Sequence, residues 1–218
     1  MKNVLTLAVA AALAGGTALC HAYEAGDWIL RAGATTVAPD TDSDRVPGLD
    51  VTVDVDDDTQ LGIIPVYMAT ENFGIELLAA TPFQHNIDVN EANLQAGSTK
   101  HLPPTLTVQW YPRGGHAGWQ PYVGLGVNYT LFFDTDADSD LEGVVGPAKL
   151  DLDDSFGLSA SAGLDIPFGD NWAFNVGVWY IDIDTTATVK VGEDRSTRIK
   201  FDVDIDPWVY NIGIAYKF

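Results

Sequence analysis

Residues 208–218 alternate strictly. Trp208, Tyr210, Ile212, Ile214, Tyr216 and Phe218 share one parity; Val209, Asn211, Gly213, Ala215 and Lys217 share the other. A period of two means a β-strand with two unlike faces. One face carries aromatics at both ends with isoleucine between, the layout of a lipid-facing strand with a girdle at each membrane interface. The alternative is an edge strand of a soluble sandwich. Beyond the N-terminal region no run of about 18 apolar residues exists, so a helical span is excluded. A membrane-embedded chain without such a helix must close its sheet, because lipid cannot satisfy the backbone groups of an open edge.

The N-terminus supports a membrane address. Lys2 precedes an apolar run, Val4 to Ala14, and then small residues lead to Cys20-His21-Ala22. A basic start, a short apolar core and a small residue at the cut site predict a secretory signal peptide over 1–22, leaving a barrel over 23–218. Cys20 is the one cysteine and leaves with that signal, so no disulfide framework or thiol chemistry is expected. A lipoprotein reading of Cys20 is weakened by Leu19, where Gly or Ala is needed. The terminal Phe218 resembles the end signal that bacterial barrels present to the barrel-assembly machinery. The formal charge is −20, which argues against nucleic acid as a partner. The acids gather between strands, at Asp54–Asp58, Asp134–Glu142 and Asp151–Asp154. Outer-membrane lipids and lipopolysaccharide are the expected surroundings, with cations bridging to anionic headgroups as an open alternative to plain solvation.

Eight alternating segments are legible: Asp27–Val37, Thr59–Ala69, Gly74–Val89, Leu102–Tyr111, Gln120–Asp134, Leu152–Phe168, Trp172–Val191 and Arg198–Phe218. Tight turns alternate with longer loops, as periplasmic turns alternate with external loops in outer-membrane barrels. The expected fold is all-β, an eight-stranded antiparallel transmembrane β-barrel.

Parity then assigns faces. Phe174, Val176, Val178 and Tyr180 point to lipid, and the outward positions beyond them become Asp182 and Asp184. The inward positions become Ile181 and Ile183. The last strand repeats this: Asp202, Asp204 and Asp206 continue the outward parity, while Ile199, Phe201, Val203 and Ile205 point in. A one-residue slip would swap faces, but two strands inverting at one height predict a barrel taller than the membrane, wet and acidic outside, apolar inside. A side-chain-packed interior is the alternative, since eight strands leave little space. Nearer the short turns, Arg31, Glu76, Asp165 and Lys217 fall on the inward face and are expected to pair as a charged periplasmic plug. Ile64, Val66, Met68, Leu78, Phe132 and Trp179 are expected between plug and funnel, as apolar lumen. Pro65, Pro82, Pro103 and Pro104 lie inside strands, where each removes a ladder donor. They mark either places where the wall opens or edges and bulges near the rim.

Catalysis finds little support. It needs a nucleophile and a histidine placed together, and no Gly-x-Ser-x-Gly element exists. His85 and His101 flank one loop as candidate neighbours; His116 sits in a turn at the other end. The run Asp134 to Asp140 starts like an EF-hand loop, yet Ser139 stands where Gly is needed and Val145 where the bidentate Glu belongs. Neither a metal nor another cofactor is expected, and no enzyme activity; a loose cation site in that loop stays open.

These residues resemble the outer membrane protein W (OmpW) family, which includes AlkL-like hydrophobic-uptake barrels. The matching stretches are Ala25–Gly33, Tyr67–Thr70, Gly74–Phe83, His101–Leu106, Gln109–Tyr111, Pro121–Thr130, Trp179–Ala187 and Asp206–Trp208. They run in order along 23–218. The resemblance implies a bacterial outer-membrane barrel that passes small hydrophobic molecules through an apolar channel, with sideways exit into the membrane. It also implies a narrow gate, which falls on Leu78 and Trp179. The Asp-rich loops depart from the family and leave selectivity unassigned. A structural or adhesive barrel whose acidic loops bind a partner is the competing reading.

Overall fold

The computed structural model describes residues 23–46, 51–90, 94–192 and 196–218. The expected signal peptide lies outside the described residues. Eight staves follow in chain order. β1 (Trp28–Ala38) is continued by β2 (Asp42–Ser43). β3 (Val53–Val55) leads into β4 (Asp58–Met68). β5 (Phe73–Ala80) and β6 (Phe83–Val89) make the third stave, β7 (Leu94–Leu102) and β8 (Thr105–Trp110) the fourth. β9 (Gln120–Ala137) is unbroken. After a short helix, α1 (Ser139–Val145), come β10 (Ala148–Leu152) with β11 (Ser155–Pro167). β12 (Trp172–Ile181) with β13 (Asp184–Val191) and β14 (Thr197–Asp204) with β15 (Trp208–Lys217) complete the set.

The lower segments close a barrel in the order β1-β4-β5-β8-β9-β11-β12-β15, antiparallel throughout. β15 returns to β1 with Ala38 opposite Trp208 and Ile29 opposite Lys217. Closure leaves no edge for lipid to face. The upper segments form two further ladders, β3-β6-β7-β9 and β10-β13-β14-β2, which rise as a cup above the barrel. Among the described residues no helix is long and apolar enough to cross a membrane.

The outer surface identifies the lipid band. Leu125 is 74% exposed and Ile212 67%, and with Leu61, Ile63, Val108, Val123 and Val176 they form a continuous exposed apolar belt, the mark of a lipid-facing surface. Aromatic pairs bracket the band: Trp28–Tyr67 and Trp172–Tyr216 at the short-turn end, Tyr180–Trp208 at the other. Beyond Tyr180 and Trp208 the outward residues Asp184, Asp202 and Asp204 are exposed, while Ile181, Ile183, Phe201, Val203 and Ile205 are buried. No slip of register produces this inversion: Trp179, Ile181 and Ile183 keep one parity, as do Ile205, Pro207 and Val209.

The staves depart from eight simple strands in two ways. Polar loops expected before Leu102 and Leu152 are partly strand, β7 and β10. Gln95 to His101 lacks a clean apolar alternation, but its backbone pairs with β6 and β9, and backbone pairing rather than side-chain pattern makes it a strand. The acidic run 134–140 is likewise not a loop throughout. β9 continues to Ala137, and the Asp138 carboxylate then caps α1 by accepting from Asp140 N–H at 2.9 Å.

A row of glycines sets the curvature beside the closing seam. Gly33 faces Gly213 across β1–β15 and Gly62 across β1–β4. A Cβ on Gly33 would lie 2.3 Å from Ile212 O and 2.6 Å from Gly213 Cα, so this close approach requires glycine.

Candidate functional site

The floor of the lumen is a buried ionic network. Arg31 Nη1 donates to Glu76 Oε2 at 2.6 Å, and Nη2 to Asp165 Oδ2 at 2.7 Å, with all three side chains fully buried. Arg31 Nη2 also donates to Tyr111 Oη at 2.9 Å, and its guanidinium lies 4.2 Å from the Tyr122 ring centroid. Glu76 accepts from Gln109 Nε2 at 2.6 Å; Asp165 accepts from Tyr23 Oη at 2.9 Å and from Asn175 Nδ2 at 2.7 Å. Asn211 links Asn175 to Thr35, at 2.8 and 2.9 Å. Charges this far from water persist only when paired and hydrogen-bonded throughout. Tyr23, Gln109, Tyr111, Tyr122, Asn175 and Asn211 were not singled out for this network from sequence. Inward parity points to the strand residues among them, but not to their partners.

Lys217 does not join this network through the ion pair expected of it. It stands opposite Ile29 at the end of β15 and pairs with Asp27 at 3.4 Å, at the rim. Val66 and Met68 also need correction. They pack with Tyr23, Ile29, Tyr111 and Tyr122 in a separate apolar cluster at the short-turn end. Strand stagger is the cause: Arg31 faces Ile64, whereas Val66 is level with Glu76.

Ile64, Leu78 and Trp179 do lie in the upper apolar cluster, together with Ile181, Ile183, Phe201, Val203 and Ile205; Phe132 packs against it half-buried. Trp179 is fully buried, and its indole Nε1–H donates to Glu76 Oε1 at 3.0 Å. The aromatic at the foot of the apolar region is thus tied to the ionic floor. The lumen at this height is not apolar all round. Opposite Leu78 stands Thr105, and Thr107, Asn128, Thr130, Ser159 and Ser161 continue a buried polar wall on β8, β9 and β11. Gly124 and Gly126 make room for these side chains: a Cβ on Gly126 would come within 2.7 Å of Ser159 Oγ.

Above, the cup holds a narrow cavity that opens to solvent. Its lining is apolar, from Val53, Ile87, Leu150, Ala187, Phe201 and Ile205 among others, with His85, His101, Thr99 and Thr185 as the polar members. The outside of the same cup is acidic. Asp182, Asp184 and Asp206 bring one oxygen each within 4.8 Å of one another. Burial, and then the charges of Asp182, Asp204 and Asp206, raise the Asp184 pKa. Asp206 is also engaged as acceptor, from Tyr180 Oη and Ile183 N–H.

The prolines sit at discontinuities. The β5–β8 ladder ends at Leu78–Thr105, and β6–β7 pairing begins at Phe83–His101. Between these pairs four residues, including exposed Pro82, face three, including Pro103 and Pro104. On the other side β9 holds its register, with Tyr129 N–H donating to Pro104 O at 3.1 Å. Pro82, Pro103 and Pro104 therefore lie between strands, not within them. Pro65 lies inside β4, where pairing with β5 skips from Ile63–Ala79 to Val66–Glu76.

A closed eight-stranded barrel with a lipid band, aromatic girdles and a wet cup is an outer-membrane protein. A model of the OmpW family matches residues 24–218, and the chain belongs to that family. It is 42% identical over 221 residues to outer membrane protein W of Vibrio cholerae, covering all of this chain and 99% of that one. The crystal structure of OprG from Pseudomonas aeruginosa superimposes with a TM-score of 0.84 at 43% identity, over 91% of this chain and 99% of that one. Outer membrane protein AlkL of Ectopseudomonas oleovorans is 24% identical over 206 residues, covering 90% and 84% of the two chains.

Proposed function

We propose that this barrel carries small hydrophobic molecules passively from the medium into the outer membrane. The observation that supports it most is the apolar lining of a cup whose outer wall is charged. A greasy solute gains roughly 25 cal/mol per Å² of apolar surface removed from water, so the cup concentrates it. Leu78 and Trp179 then act as the narrow gate at the cup's foot. Beside them Asn128 and Ser161, and below them Thr107 and then the Arg31 network, offer nothing to an apolar body. The favourable way out is sideways, through the ladder break beside Pro82, Pro103 and Pro104, into lipid. The relationship to the OmpW family and to AlkL supports the same reading, which assigns no catalytic step.

The test is uptake of an alkane at limiting concentration by cells with and without the protein. Faster uptake with the protein is expected. Trp179→Ala should alter the rate, and replacing Pro82 with a residue that restores the ladder should slow it. Equal uptake with and without the protein sinks the proposal and favours a structural or adhesive barrel.

A further inference from the structure

His85 and His101 project from β6 and β7 into the wall of the cup cavity. The outward neighbours on these strands are Gln84, Asn86, Ser98 and Lys100, which place the pair above the lipid band. Their rings stack with centroids 4.8 Å apart and planes within 4°. Phe83 stacks on His101 at 5.6 Å, and Phe132 meets it edge-on. The histidines are 1% and 4% exposed. The Nε2 atoms of both are buried without a hydrogen-bond partner among the described residues. The polar threonines of the lining are satisfied by comparison: Thr185 donates to Asp153 O, and Thr99 bonds Thr135.

The tautomer of His85 follows from its other nitrogen. Nδ1 contacts the carbonyl oxygen of Asp56. A carbonyl only accepts, so Nδ1 carries the proton and Nε2 presents a bare lone pair. Two unmet nitrogens in an apolar cavity are costly when the cavity is empty. They are favourable when a ligand supplies the missing partner, and the ligand must otherwise be apolar to match the lining. A shared metal ion fits poorly. Imidazole lone pairs lie in the ring plane, and two parallel planes have no common point at about 2 Å from both nitrogens.

We propose that His85 and His101 form a polar recognition point in the cup, so that the preferred solutes are apolar molecules bearing a hydroxyl group, alcohols or phenols, with the hydroxyl donating to His85 Nε2. This rests on the uptake reading and narrows its substrate class. A hydroxyl bound there satisfies the buried acceptor while the hydrocarbon body fills the apolar remainder. An alkane of equal length leaves the acceptor bare. A single such hydrogen bond strengthens alcohol binding by about tenfold over the same barrel without His85.

The experiment compares 1-octanol with octane on the full barrel in lipid nanodiscs, with ¹⁵N-histidine labelling. The expected result is that octanol moves the His85 Nε2 resonance and octane binds without moving it, and that His85→Phe weakens octanol about tenfold while leaving octane unchanged. The wild-type resonance is read without any variant, so a misfolded substitution leaves the outcome decidable. If both solutes bind equally and neither histidine signal moves, the recognition point is refuted while the uptake reading stands. If neither solute binds, the uptake reading fails and this inference with it.

Discussion

Arg31 is the residue on which the floor depends. Its guanidinium bridges Glu76 and Asp165, which stand on β5 and β11 across the lumen. Arg31→Met would leave two buried carboxylates without a counter-charge. A loss of about 3–5 kcal/mol is expected, to be read from urea unfolding of the barrel in vesicles. A variant with wild-type stability would show that the carboxylates find other partners. Glu76 has a second role, as acceptor for the Trp179 indole. Glu76→Gln keeps an acceptor oxygen and should hold the Trp179 indole N–H resonance near its place; Glu76→Leu should release it. Inward parity made Arg31, Glu76 and Asp165 legible from sequence. It did not reveal Tyr111, Tyr122 or Asn175 as their partners, because which inward residues share a level depends on the stagger between strands. The same stagger sets Val66 and Met68, though inward as parity requires, in the cluster at the short-turn end instead of beneath the cup.

At the scale of elements, the seam and the cup behave differently. Gly33, Gly62 and Gly213 let β1 approach its neighbours, and Gly33→Val should cost about 1–3 kcal/mol through overpacking against Gly213. Barrel thermal unfolding measured by gel mobility checks this. The β6–β7 hairpin carries a pH dependence. Burial, and after it the neighbouring His85, bring the His101 pKa down to about 3 against the opposing pull of Asp58. Burial also lowers His85, opposed by its bond to Asp56 and by Asp56, Asp57 and Asp58. Both resist protonation when folded, whereas the unfolded hairpin takes up protons below about pH 6.5. Stability contributed by the pair is therefore present above pH 6.5 and is lost as pH falls from there toward 3. Amide exchange in β6 and β7 should quicken over that window, with His101→Phe reducing the effect. Exchange independent of pH after correction for its chemical rate would contradict this account. Sequence offered both histidines as candidate neighbours beside one loop but did not show their rings stacked. The β7 strand that brings them together lacks an apolar period to betray it.

For the whole molecule, the lipid band sets what the outside tolerates. Leu125, midway up β9, should resist replacement by Arg at a cost of about 2–4 kcal/mol; Leu131, beyond Tyr129 at the upper girdle, should cost about 0–1. Equal costs at both positions would show that the band lies elsewhere. Sequence alone determined the all-β class, the closed barrel, the girdles and the inversion from a lipid-facing to a wet exterior. All of these follow from local alternation, in which each residue reports its own face, and from the rule that lipid leaves no backbone group unpaired. Tertiary structure decided what meets across the lumen. It set the reach of the Arg31 network, the polar wall opposite Leu78, the break in pairing beside Pro82 and the stacked histidines in the cup. These depend on register and stagger among strands distant in the chain, and a period-two pattern reads the same however neighbouring strands are shifted by pairs of residues.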